Sequence, residues 1–265
     1  MFPLHGILGK WVLSLVNFYG GLLSLLYYSV RELFSSNKKG RYYLYPVILQ
    51  QIYFTGVQAS NLISLIALAL GAVVIIGLRS VNQLDLAPYL GIALGLIFVK
   101  TLGPLLTAII VIARSGTAMA TEIANMVVRN EILALETLGI DTLKFLVLPR
   151  ILGMVASIMG LNLIFSIVSI LGGVTVAWVY DRNLDIGKFT ESLFNYLNYT
   201  DIIELVLKAV FFGVGISLVC MINGFKVLLY PGGAPVSGIK GVVGSLQYVF
   251  VIWAVLTGLF FRGGL

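Results

Sequence analysis

Charge is what this sequence has least of. Only 11% of its 265 residues are Asp, Glu, Lys or Arg, whereas about a quarter of a soluble domain is charged. The hydrophobic share is 59% and the mean hydropathy is +1.03. So few charges cannot clothe a water-facing surface, so lipid must be the solvent for much of the chain. The single cysteine, Cys220, excludes a disulfide framework and, lying inside an apolar run, reads as a small packing residue. The single histidine, His5, stands near the N-terminus, far in sequence from any apolar run. There is no HExxH, no metal-ligand cluster and no pair of acids within an expected span, which argues against an enzyme. A P-loop is missing as well. Gly233 and Gly238 have its spacing, but Ile239 stands where the phosphate-binding lysine belongs, so those glycines read as a turn. No cofactor is expected, and any ATP is bound and hydrolysed by another chain. The basic residues fall in short loops between spans, which gives no grounds for nucleic-acid binding.

What is there is long apolar runs. Backbone groups in lipid need internal partners, so spanning segments are helices or a closed barrel. The runs here are continuously apolar rather than alternating, which selects helices. The spacing of charges marks five spans, at residues 57–78, 89–113, 151–180, 202–223 and 241–261. The second is interrupted by Lys100. The third, as one straight helix, would be about 45 Å long, more than a roughly 30 Å hydrocarbon core. It is expected to tilt, protrude or break, and Gly172-Gly173 is the place to break. The fourth carries Glu204 and Lys208 at i, i+4, a helical ion-pair spacing. Residues 11–30 are also free of charge. Ser14, Asn17, Gly21, Ser24 and Tyr28 put a small, polar stripe on one face, which suits a helix lying along the membrane better than a sixth span. A signal peptide is disfavoured because Arg31-Glu32 follows where small residues would be cleaved. The chain thus divides into an N-terminal interfacial helix with a basic segment, 1–46, and a membrane domain, 47–265.

Positive charge sets the orientation. One side, comprising the N-terminal segment and the loops 114–150 and 225–240, carries eleven Lys/Arg, and the other carries five, counting Lys208 among the latter. The richer side is cytoplasmic, so the N-terminus is expected inside and the C-terminus outside.

Three features are candidates for function. Lys100 lies inside an apolar span, where an ionised group costs about 2.5 to 3.5 kcal/mol on insertion scales. It either contacts an anionic headgroup in a cavity, or snorkels, or reaches carbonyls freed by a break at Gly103-Pro104. Between spans two and three, Glu122, Asn125, Arg129 and Glu136 recur at helical spacing through residues 122–138. Ile123, Met126, Val127, Ala134 and Leu138 lie opposite, and Gly139 supplies a stop. Such a helix either docks in a partner's groove or floats at the membrane surface. Gly91 and Gly95 form a GxxxG that favours packing within the chain over a dimer contact.

One stretch carries a resemblance. Leu102-Gly103-Pro104-Leu105-Leu106-Thr107-Ala108, then Ala113-Arg114-Ser115-Gly116-Thr117-Ala118 and Thr121-Glu122-Ile123, resemble the MlaE/YrbE permeases. Leu135-Glu136-Thr137-Leu138-Gly139-Ile140-Asp141, ending in Pro149-Arg150, continues the likeness, which extends more weakly over residues 50–262. The family consists of membrane subunits of ABC transporters that move lipids with MCE-domain proteins. The resemblance implies an all-α fold, with an N-terminal interfacial helix, five transmembrane helices and a coupling helix between spans two and three. It also implies a bacterial inner-membrane location, a homodimer with a shared phospholipid cavity, a cytoplasmic ATPase partner and an MCE-domain protein on the outer, periplasmic face. It places lipid contacts at Lys100, Thr101 and Leu102 and at Leu78 and Arg79, and ATPase coupling at Glu122, Arg129, Glu131, Glu136 and Asp141. The sequence departs from the family pattern at Thr101, which replaces a glutamate, and at Arg129-Asn130-Glu131, which replaces Thr-Glu-Gln. Thr142 stands where a proline is common, and Trp253 where some members carry an acid. Against this reading stand a self-contained carrier of a small anionic solute, with Lys100 as its site, and a structural anchor that only assembles other subunits.

Overall fold

The computed structural model describes residues 38–81, 87–180, 186–227 and 233–263; the interfacial helix expected at 11–30 lies outside them. Among the described residues the regular structure is entirely helical. Five helices are long and apolar enough to cross a membrane. In chain order, α1 is Tyr45–Gly77 and α2 is Gly91–Val128. A short α3, Glu131–Thr137, follows. Then come α4, Phe145–Val179, a second short helix α5, Ile186–Tyr196, α6, Tyr199–Phe225, and α7, Gly233–Phe260. The five expected spans are all present, each longer than its apolar run. The α1 backbone is helical from residue 38, and α2 continues well past residue 113.

The most buried span is α6, which packs on α4, α7 and the later half of α2. Ala209, Phe212, Ile216, Val219 and Cys220 on it are fully buried. Apolar side chains face outward on α1 and α7, such as Leu65, Val73, Val251 and Leu259, as expected where lipid or another subunit is the neighbour.

The pairing of α1 with α4 brings backbone against backbone, and small residues make it so. A Cβ added at Gly71 would lie 2.0 Å from the Ser169 carbonyl oxygen, and one at Gly172 would lie 2.7 Å from that of Leu68. This corrects one expectation. The helix Leu148–Tyr180 runs its full 33 residues through Gly172-Gly173 without a break. In lipid a broken helix would leave backbone groups unpaired, and the missing side chains serve close approach to α1 instead. The GxxxG of α2 also packs internally. A Cβ at Gly91 would meet Ser192 Oγ and the Phe189 carbonyl oxygen of α5.

Candidate functional site

The backbone of α2 is irregular where Lys100 sits. Residues Gly95–Thr101 form a π-helical stretch, and Pro104 follows within the next turn. Proline has no N–H to offer the carbonyl four residues back, so the Lys100 carbonyl is left open. Lys208 of α6 fills it, its Nζ donating to the Lys100 oxygen at 2.7 Å. The next carbonyl, Thr101, accepts from Trp253 Nε1 of α7 at 3.0 Å. The Thr101 hydroxyl donates to the Leu96 carbonyl at 2.8 Å. Gly103 is required by the same distortion, because a Cβ there would sit 1.9 Å from the Phe98 carbonyl oxygen.

Around this break the described charges pair completely. Lys100 Nζ lies 2.9 Å from Asp201 Oδ1 and 4.4 Å from the centroid of the Tyr196 ring, an ion pair with a cation–π contact. Asp201 is in the first turn of α6, where a carboxylate suits the helix dipole, and its Oδ2 accepts from the Asn198 N–H at 2.8 Å. Glu204 and Lys208 form the expected i, i+4 pair, at 2.5 Å. The Lys100 side chain is 18% exposed, that of Asp201 8% and that of Lys208 not at all. Four elements, α2, α5, α6 and α7, converge on one buried polar knot.

Several sequence expectations change here. The fourth span begins at Tyr199 rather than 202, which brings Asp201 onto its face with Glu204, so two acids do share one span. Lys208 lies in the fourth span as expected, but it is fully buried there, so it does not belong with the positive charges of the outer side. Lys100 does not reach carbonyls freed by the break; Lys208 does. Thr101 leaves Lys100 without an acid next to it in the chain, yet Lys100 has a carboxylate partner, supplied by another helix. Leu102 is 38% exposed and Thr101 half-buried. The side chains of Leu78 and Arg79 lie outside the described residues. Sequence reasoning missed Asp201, Tyr196 and Trp253 as members of this group. The spacing of Asp201, Glu204 and Lys208 on one helical face was the available signal.

The segment between α2 and α4 forms a second group at the other end of the bundle. The expected continuous helix over 122–138 is broken. The segment Thr117–Val128 ends in Arg129, and Asn130 takes a left-handed conformation at φ 56°, from which α3 restarts. Asparagine is among the few residues that adopt this state cheaply. The stop at Gly139 holds, with φ 73°. The Gly139 N–H donates to the Glu136 carbonyl at 2.9 Å and the Ile140 N–H to that of Leu135 at 3.0 Å, a Schellman closure. Thr142 Oγ1 donates to Glu136 Oε1 at 3.2 Å. Arg129 and Glu131 stand 3.9 Å apart on the surface. Leu133, Leu138 and Ile140 are exposed, and so is Asp141. Glu122 Oε1 accepts from Arg150 Nη2 of α4 at 2.9 Å. Of the residues expected to be apolar and facing away, Ile123 is buried against the bundle, whereas Ala134 and Leu138 are exposed. No group of three His, Cys, Asp or Glu able to hold a metal occurs among the described residues.

Comparison with known proteins gives a family model described as Permease MlaE, which matches residues 48–259. The chain is 29% identical over 226 residues to the intermembrane phospholipid transport system permease protein MlaE of Haemophilus influenzae, covering 83% of this chain and 85% of that protein. It is 28% identical over 217 residues to an ABC transporter permease protein of Rickettsia typhi, covering 82% and 83%. It is also 29% identical over 218 residues to the chloroplastic protein TRIGALACTOSYLDIACYLGLYCEROL 1 of Arabidopsis thaliana, covering 81% of this chain and 61% of the plant protein.

Proposed function

The chain belongs to the MlaE permease family, and from that premise we propose that it is the membrane subunit of an ATP-driven phospholipid transporter of a bacterial inner membrane. Two copies would enclose the lipid cavity, and an MCE-domain protein would contact the outer, periplasmic face. ATP would be bound and hydrolysed by a separate cytoplasmic ATPase. With the N-terminus and the 129–141 segment cytoplasmic, the Lys100 knot falls toward the outer leaflet and the C-terminus lies outside.

The observation that carries the reading is the segment between α2 and α4. It is bounded by the left-handed Asn130 and the Gly139 turn, yet it exposes Leu133, Leu138 and Ile140 beside the charges of Arg129, Glu131 and Asp141. A surface helix that presents apolar side chains within a polar rim suits docking into a groove of a partner. Arg129, Glu131, Glu136 and Asp141 are thereby the coupling residues at the docking surface, and Glu122 is a coupling residue behind it, held by Arg150 of α4. At the other end, Lys100, Thr101 and Leu102, with Leu78 and Arg79 just beyond α1, are the lipid contacts. A phosphate headgroup would compete with Asp201 for Lys100, so binding and release would exchange one anionic partner for another.

Pull-down of the cytoplasmic ATPase tests the proposal. Reversing charge at Arg129 and Glu136 together is expected to lower its recovery; unchanged recovery would refute the coupling assignment. Lipid transfer in proteoliposomes is expected only when the ATPase and ATP are present. Transport of a small anion by this chain alone would instead establish a self-contained carrier.

A further inference from the structure

The ends of α2 and α4 nearest the 129–141 segment are joined by a different chemistry from the rest of that end of the bundle. The terminal part of α2 meets α6 and α7 through small and apolar groups. A Cβ at Gly224 would lie 2.7 Å from Ile123 Cβ, and one at Gly241 3.0 Å from Ala120 Cβ. Such contacts are close but non-directional. The tie from α2 to α4 is a charge pair, Glu122 with Arg150, and a guanidinium hydrogen bond to a carboxylate fixes direction as well as distance. The pair is lopsided. The Arg150 side chain is 9% exposed and its Nη1 is buried without an acceptor, whereas Glu122 is 63% exposed. A guanidinium so far out of water depends on its counter-ion far more than the carboxylate does. The pair also closes a ring. From Glu122 the chain passes through Asn130, α3 and the Gly139 turn, is tied by Thr142 to Glu136, and returns along α4 to Arg150.

We propose that Glu122 and Arg150 form a strut that makes the inner end of α4 follow the docking segment, Arg150 acting as a positioning residue through Glu122. The inference rests on the ATPase-coupled reading above and deepens it. Within the coupling segment, Glu122 transmits motion between two spans while the exposed residues beyond Asn130 meet the partner. Displacement of α3 then reaches α2 through the Arg129-Asn130 turn and α4 through the ion pair. Because α4 is packed along α1, the two move together.

The complex, purified in nanodiscs with its ATPase, is compared as wild type, Glu122→Gln, Arg150→Gln and the exchange Glu122→Arg/Arg150→Glu. Each single variant is expected to retain the ATPase but to move about tenfold less lipid per ATP hydrolysed. The exchange is expected to recover most of that loss. A second measurement uses the permease alone. Each single variant should lower Tm by about 3 °C or more, and the exchange should lie above both. Loss of the ATPase in Glu122→Gln would make Glu122 a docking contact and overturn the strut. Unchanged lipid per ATP in both singles, or an exchange no better than either, would overturn it too. If wild type itself retains no ATPase, the functional proposal fails, while the Tm comparison still decides whether the two residues are coupled.

Discussion

Buried charge in this protein is expensive to remove by halves. Lys208 is wholly enclosed, neutralised by Glu204, and completes the backbone of a neighbouring helix at the Lys100 carbonyl. Lys208→Met would strand both a carboxylate and a carbonyl, at a cost of about 3 to 5 kcal/mol. The double change Glu204→Leu/Lys208→Met should recover part of this, because only the open carbonyl then lacks a partner. Thermal unfolding in detergent measures both, and a double variant no more stable than the single would contradict the argument. Lys100→Glu sets a new carboxylate against Asp201, so lipid transfer should fall by about tenfold or more. Normal transfer would reduce Lys100 to a packing role. The pair Glu204–Lys208 was legible from i, i+4 spacing alone. Asp201 was hidden because an apolar run starting at 202 excluded it by one residue. Tyr196 and Trp253 carry no local signal, since only the packing of α5 and α7 brings them to the break.

Whole helices reveal what composition conceals about continuity. Periodicity read one amphipathic helix over 122–138, because the hydrophobic pattern continues through Asn130 while the backbone does not. The stop at Gly139 was legible, since a positive φ favours one residue type strongly. Gly139→Val should therefore cost the segment roughly 1 to 2 kcal/mol by opposing the left-handed turn. A weakened ATPase pull-down at unchanged protein level is the expected readout, and undiminished recovery would show that the Schellman closure does not preorganise the surface. In α4 the paired glycines pointed to a break, and sequence alone could not distinguish a flexible joint from a close contact between spans. Gly71→Leu should force α1 from α4 and lower Tm by several degrees, as overpacking costs about 1 to 3 kcal/mol. A Tm within experimental scatter of wild type would mean that the two helices are not in such close contact.

For the molecule as a whole, lipid as solvent made the architecture easy to read, because five long runs with few charges leave a chain little else to form. The order in which the spans pack was not legible. Nothing in the runs themselves says that α6 lies at the centre while α1 and α7 turn apolar faces outward. The polar knot has a consequence for biosynthesis. The span α6 carries Asp201, Glu204 and Lys208, whose partners include groups on α2, a helix made about a hundred residues earlier. Until α2 is alongside, α6 is a poor tenant of the bilayer, since each charge weighs about 2.5 to 3.5 kcal/mol against partitioning when near a helix centre. Entry of α6 from the translocon should thus be conditional on the earlier span. In a glycosylation-mapping assay, α6 presented alone should integrate less completely than α6 following α2, and removing the pair together, as Glu204→Leu/Lys208→Leu, should relieve that dependence. Equal integration in both contexts would show that the helix enters the bilayer on its own. Where entry of α6 does depend on α2, the Lys100–Asp201 pair and the Lys208 bond to α2 act as a checkpoint during synthesis, holding back any chain whose second span is missing or misplaced.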